Sequence, residues 1–235
     1  MPSEGDSMID DDELTDMLGA PGREALWIEF IRRHRLQSLA ELGVARGVFA
    51  EALLQNCPDI TRYYLIDPWK HLEDWNKPAN KASDAFELAF GEAMTRTEPW
   101  KAARVVLRGR TTEVIQSIPD ESLDLAYVDA DHTLRGISID LTRVWPKVKW
   151  GGFVGGDDFC PSIWQHDETF EPTLVYPYAV HFAEAMDASL FALPHNQFLM
   201  QKSESGFKFV DRTGHYQDPT LRSALLRSVD HESAD

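Results

Sequence analysis

The segment Glu41-Leu42-Gly43-Val44-Ala45-Arg46-Gly47, followed by Asp67, constrains this chain more than any other. Residues 36–42 read as a strand and 46–55 as a helix, so both glycines fall where a strand turns into a helix. Glycine there lets the backbone approach a ligand closely, and the helix N-terminus offers free N–H groups. A second apolar run, 62–66, ends at Asp67. A carboxylate at that place accepts sugar hydroxyl protons in nucleotide-binding α/β folds. The dinucleotide pattern Gly-x-Gly-x-x-Gly is absent, because Ala45 stands where its second glycine would be. An ordinary strand–turn–helix joint would share the local pattern, so the rest of the chain has to decide.

Strand-like and helix-like segments alternate along the rest. Further strands are expected at 104–107, 123–128, 152–155, 190–193 and 197–201. Helices are expected at 11–19, 21–34, 83–94, 111–118, 134–144, 173–186 and near 219–227, with Pro21 opening the second and Thr111 capping the fourth. Such alternation predicts an α/β fold: a doubly wound, mainly parallel sheet of seven strands covered on both faces. Only Pro194-His195-Asn196 separates the last two strands, which suits an antiparallel terminal hairpin. No repeat or linker divides the 235 residues, so one domain is expected, with residues 1–9 as a tail. Residues 10–34 and 68–101 are expected to form a mobile lid.

Charge narrows the partners. The formal net charge is −16, which argues against nucleic acid or an anionic membrane as the main partner. No apolar run approaches the length of a membrane span, and the acidic N-terminus lacks a secretory pattern. Two cysteines, Cys57 and Cys160, imply no disulfide framework. A cytoplasmic enzyme is the default expectation.

A second cluster carries chemistry. Asp129-Ala130-Asp131-His132 follows the fourth strand, and Gly155-Gly156-Asp157-Asp158 the fifth. Strand C-termini of a doubly wound sheet share one edge, where ligands bind. Asp129, Asp157 and Asp158 should therefore converge. Three close carboxylates repel one another unless protonated or neutralised by a cation, and a hard divalent ion, Mg²⁺ or Mn²⁺, would resolve this. Asp131 is expected to cap the following helix.

Over nearly its whole length the chain resembles the class I S-adenosylmethionine (SAM)-dependent methyltransferases. The resemblance implies that Glu41, Gly43 and Gly47 line the methionine part of SAM, that Asp67 binds its ribose, and that Gly109-Arg110-Thr111 lie at the adenine. The Asp-x-Asp-His segment after one strand and the Gly-Asp-Asp segment after the next resemble a subgroup, the metal-dependent sugar O-methyltransferases of macrolide biosynthesis. That likeness implies Asp129, Asp157 and Asp158 as metal ligands, with Asp129 also near the cofactor, and His132 as general base. His166 in Trp164-Gln165-His166-Asp167 is a second candidate base. Catechol-type relatives commonly carry Asn as the last ligand; Asp158 departs from that.

The expected activity is transfer of a methyl group to a hydroxyl of a sugar, oligosaccharide or glycoside. A catechol or other phenol is the alternative acceptor, and an NAD-dependent oxidoreductase a more distant one. Trp75, Trp100 and Trp164 are placed to border the site, and Asp74, Asn76 and Lys77 to read hydroxyls there. Relatives in the sugar subgroup often assemble, so a homodimer or higher oligomer is expected.

Overall fold

A computed structural model describes residues 9–203, 206–221 and 223. Its eight-stranded sheet runs in the order β3-β2-β1-β4-β5-β7-β6-β8. The strands are β1 (Ser38–Leu42), β2 (Arg62–Asp67), β3 (Arg104–Arg108), β4 (Leu123–Val128), β5 (Val148–Gly156), β6 (Leu190–Leu193), β7 (Gln197–Gln201) and β8 (Phe209–Asp211). β1 to β5 pair in parallel, and β7 runs antiparallel to both β5 and β6. The expected doubly wound sheet with its terminal hairpin is present. The eighth strand was not expected: β8 is three residues long and adds in parallel to the edge strand β6. A segment that short carries too little pattern to read.

Side chains alternate between two cores, as the pleat requires. Leu39, Tyr63, Leu65, Leu125, Tyr127 and Phe153 face one side, where α2 (Arg23–Arg33) and α3 (Val48–Asn56) pack. Ala40, Leu42, Tyr64, Ile66, Ala126 and Val154 face the other, covered by α6 (Leu134–Val144) and α7 (Val175–Ala185). The remaining helices are α1 (Asp11–Leu18), α4 (Ser83–Arg96) and the short α5 (Thr111–Val114). Trp27 of α2 is fully buried against Gly155, where an added Cβ would lie 2.1 Å from the indole. Gly155 thus makes room for the ring, and α2 brings Arg23 to the sheet edge.

Three helix starts differ from expectation. Gly22, not Pro21, is the residue before α2. Thr111 is the first residue of α5 rather than its cap; the Arg110 N–H donates to Glu113 Oε2 instead, over 2.8 Å. Thr133, not Asp131, caps α6 by accepting from the Gly136 N–H at 3.1 Å. Asp131 is released to accept from the Thr133 N–H and the Trp75 indole, each at 3.0 Å. Most of the helix expected near 219–227, and most of the tail 1–9, lie outside the described residues.

Candidate active site

The glycine loop packs against the end of β4 and against α4. Gly43 has φ +90°, and a Cβ there would lie 1.9 Å from the Asp129 carbonyl oxygen. Gly47 has φ +73° and packs against Ala93 of α4. Only glycine satisfies both demands, a left-handed backbone and a backbone-to-backbone approach. Asp67 Oδ2 accepts from the Val44 and Ala45 N–H groups at 3.0 and 2.9 Å, and Oδ1 from the Trp69 N–H at 2.7 Å. Asp67 therefore ties β2 to the loop. A carboxylate oxygen has two lone pairs, so Oδ1 keeps one for a hydroxyl. Burial raises the Asp67 pKa, against the pull of these backbone donors.

Glu41 is buried and accepts from the Tyr63 hydroxyl at 2.7 Å. Burial pushes its carboxyl up to about 8, so it is largely protonated at neutral pH. Gly109 is buried at the end of β3. The Arg110 guanidinium is engaged by Asp74, and Thr111 lies near the buried Asp140 of α6 and draws its raised pKa down. Asp74 thus pairs with a cation rather than standing free. Lys77 is buried and donates to the Glu171 carbonyl at 2.7 Å and to Thr173 Oγ1 at 3.2 Å. Asn76 is exposed and donates to the Thr169 carbonyl at 2.9 Å. All three bind protein groups, which knit the 68–82 insertion to the 160–174 loop and the start of α5.

The acidic residues converge at the C-terminal ends of β4 and β5, as the sheet edge requires. They do not meet as three free carboxylates. Arg23 Nη1 donates to Asp129 Oδ2 at 3.0 Å and forms a short ion pair with Asp157 Oδ2. Asp157 Oδ1 accepts from Gln197 Nε2 and from the Asp158 N–H, each at 2.7 Å. His132 Nε2 lies 2.7 Å from Asp158 Oδ2 and 3.6 Å from Asp129 Oδ1. The ligand atoms of Asp129, His132 and Asp158 all lie within 4.8 Å of one another, and Asp157 is outside that group. Of the expected set of Asp129, Asp157 and Asp158, Asp157 is turned to Arg23 and Gln197, and His132 stands with the other two. Close carboxylates repel one another unless a positive group answers them, and Arg23 and His132 lie against these.

These contacts set the protonation states. Burial works against the His132 imidazolium, but hydrogen bonds to Asp129 and Asp158 outweigh it and hold the pKa up to about 10. Burial and the neighbouring carboxylates push Asp157 up to about 6. Asp158 is lowered: burial raises it, and the bonds from His132 and Gln165 more than offset that. His132 Nδ1 is buried without a partner among the described residues. A histidine that ligates metal normally anchors its second nitrogen on a carbonyl or carboxylate. His166 is exposed on the loop, and only its charge reaches Asp158.

A divalent ion fits this donor set. Carboxylate oxygens suit Mg²⁺ and Mn²⁺, and donor atoms within 4.8 Å need only a small contraction to share one ion. An open groove of about 400 Å³ starts beside His132. Thr133, Leu134, Arg135, Ser138, Glu171, Pro172 and Leu174 line it, and the Leu174 N–H donates to the His132 carbonyl at 2.9 Å. Trp75 is half-buried, Trp100 packs against the core, and Trp164 is exposed.

Arg23 and Gln197 were not foreseen, and Trp27, which fits a buried helix face in the sequence, was not foreseen at the site. Trp27 Nε1 and the Tyr127 hydroxyl both donate to Gln197 Oε1 at 2.8 Å, which fixes the amide that holds Asp157. Nothing local marks these residues, because they come from a distant helix and from the hairpin.

Curated protein sequences give no match. Among solved structures, a Staphylococcus aureus protein assigned as a caffeoyl-CoA O-methyltransferase superposes with a TM-score of 0.56 at 14% identity, over 82% of this chain and 89% of that one. The SAH-bound methyltransferase PaMTH1 of Podospora anserina gives 0.55 at 13% identity, over 82% of each chain. The O-methyltransferase NovP gives 0.52 at 16% identity, over 86% of this chain and 84% of that one. At these identities the likeness is one of fold. The family model described as a methyltransferase domain matches residues 40–159, from the first strand through the glycine loop and Asp67 to the acidic pair after β5. That span is more than half of the chain, and the protein belongs to this methyltransferase domain family as a SAM-dependent enzyme of the class I fold.

Proposed function

We propose that this enzyme is a divalent-metal-dependent O-methyltransferase acting on a hydroxyl of a sugar, oligosaccharide or glycoside. The observation that carries the reading is the meeting of Asp129, His132 and Asp158 at the sheet edge, beside the Gly43 loop. In it, Glu41, Gly43 and Gly47 line the methionine part of SAM, Asp67 takes the ribose, and Gly109, Arg110 and Thr111 flank the adenine. Asp129 and Asp158 hold the ion, with Asp157 as a third ligand. Bound there, a divalent ion would supply Lewis acidity that lowers the pKa of the acceptor hydroxyl.

The chain's own residues do the rest. Methyl transfer from a sulfonium is an in-line displacement, and the acceptor oxygen must be held about 3 Å from the methyl carbon. His132 takes the hydroxyl proton, for which its imidazole must be neutral. The groove beside His132 supports a polyol acceptor. Its walls offer Thr133, Arg135, Ser138 and Glu171 for hydroxyls, its apolar patches are the aliphatic Leu134, Pro172 and Leu174, and no aromatic ring lines it. A phenolic acceptor would be better served by an aromatic slot. Residues 68–101 are proposed to close over the bound cofactor, while α2 of the 10–34 segment stays in the core through Trp27, Phe30 and Ile31; the enzyme is proposed to work as a homodimer or larger assembly. No helix among the described residues is long and apolar enough to cross a membrane.

The test is methyl transfer from labelled SAM to a panel of saccharides, glycosides and catechols, each with Mg²⁺ and with EDTA. Label in a saccharide or glycoside that EDTA abolishes is the expected result. Transfer to catechols alone would overturn the acceptor, and transfer indifferent to EDTA would overturn the metal.

A further inference from the structure

We propose that Arg23 is a displaceable internal counter-ion, whose guanidinium holds the position between Asp129 and Asp157 until a divalent cation takes it. The inference rests on the metal reading above and adds to it a residue from outside the acidic motif. One nitrogen, Nη1, contacts Oδ2 of both carboxylates. A single positive centre shared by two carboxylate oxygens is the arrangement a bridging metal ion makes, so the two cations compete for the same atoms.

The surroundings allow Arg23 to leave. Its side chain is 28% exposed, so it can withdraw without crossing the core. Its guanidinium lies 5.0 Å from the centre of the Phe49 ring, and its Nε is 3.9 Å from Glu24. Both contacts offer a resting place outside the carboxylate pair. The carboxylates do not depend on Arg23 for their positions. Asp157 Oδ1 stays on Gln197 Nε2 and the Asp158 N–H, and Asp129 Oδ1 faces His132. Departure of Arg23 frees the two Oδ2 atoms and leaves the opposite oxygens anchored. It also turns the Asp129, His132 and Asp158 group into a set that Asp157 can join. Arg23 offsets the charge of the two carboxylates until a divalent ion does so, and metal affinity is lower for it.

The experiment is calorimetric titration of Mn²⁺ into the wild-type protein, R23Q and R23K, with thermal melts of each to establish folding. R23Q should bind Mn²⁺ about tenfold more tightly than wild type, which is one unit of pKd. R23K, which keeps a positive charge, should stay close to wild type. Equal or weaker binding by R23Q, with clear binding by wild type, overturns the counter-ion and leaves the metal reading standing. No Mn²⁺ binding by any of the three overturns both. A second measurement needs no variant. Labelling of Arg23 by an arginine-selective dicarbonyl, followed by peptide mass, should speed up severalfold in saturating Mn²⁺. Unchanged or slower labelling would overturn the proposal.

Discussion

Gln197 gives its amide to Asp157 over 2.7 Å, and this contact joins the terminal hairpin to the acidic cluster. The same side chain accepts from the buried Trp27 and Tyr127, which orients its amide. Asp157 in turn pairs with Arg23. A strand that pairs antiparallel to β5 thus sets the position of a carboxylate at the end of β5.

Gln197→Met keeps the volume and removes both hydrogen-bonding ends. Two buried groups, the Trp27 indole and the Tyr127 hydroxyl, and the half-buried Asp157 carboxylate then lose a partner. The expected destabilisation is about 2–4 kcal/mol, since each orphaned buried group costs about 1–3 kcal/mol and some will rearrange. Urea unfolding measures it. Because Gln197 positions Asp157 and does not reach SAM, methyl transfer should lose kcat with little change in the KM for SAM. A loss confined to the KM for SAM would show that the amide acts on the cofactor loop instead.

Two glycines make a matched pair. At Gly43 a Cβ would fall 1.9 Å from a backbone oxygen, with φ at +90°. Backbone atoms cannot step aside as a flexible side chain can. Gly43→Ala should cost about 2–4 kcal/mol and remove S-adenosylhomocysteine binding. Gly91 lies within α4, and nothing would come within 4 Å of its Cβ. Gly91→Ala should raise stability by about 0.5–1 kcal/mol and leave binding alone. Melting curves and calorimetry on the two variants check both directions.

Much of this arrangement was legible because it is local. The strand–glycine–helix joint, Asp67 and the two acidic segments each announce themselves within a few residues, and a parallel sheet brings its strand C-termini to one edge whatever the details. The boundaries of β4, α6, β6 and β7 follow from apolar periodicity alone. What could not be read is which charge answers which. Asp129, Asp157 and Asp158 look alike in sequence, yet one faces both Arg23 and His132, one pairs with Arg23 and Gln197, and one holds His132. That choice depends on α2 and β7, which arrive from opposite ends of the chain. The same holds for Lys77, which reads as a loop lysine and is buried on Thr173.

Glu41 predicts a pH dependence of stability. Its folded carboxyl titrates near 8, well above an unfolded glutamate near 4.5. Between these values the folded state keeps a proton that the unfolded state has lost, so stability falls as pH rises through that window. Above about 8 both states are ionised and this contribution levels off. Glu41→Gln retains an acceptor for Tyr63 and carries no proton to lose. The urea midpoint of wild type should drop from pH 5.5 to pH 8.5 relative to that of Glu41→Gln. Parallel midpoints would mean that Glu41 is already ionised when folded.

His132 gives the last prediction, in the rate. As a base it must lose its proton, and Asp129 and Asp158 hold that proton up to about pH 10. Its folded pKa lies above the ordinary value near 6.5, so the ion pair with Asp158 stabilises the metal-free fold fully below about 6.5. That stabilisation is lost as pH rises through 10. Any activity in EDTA should therefore climb toward pH 10. Charge neutralisation at Asp129 and Asp158 removes the groups that favour the imidazolium. With Mg²⁺ present, the rising limb of kcat against pH should move down by about two units or more, toward the ordinary imidazole range. His132→Gln should remove that limb altogether and lower kcat by about a hundredfold. Its binding of S-adenosylhomocysteine should be unchanged. A limb at the same pH with and without Mg²⁺, or one that survives in His132→Gln, would assign proton removal to another group, and exposed His166 would be the next residue to replace.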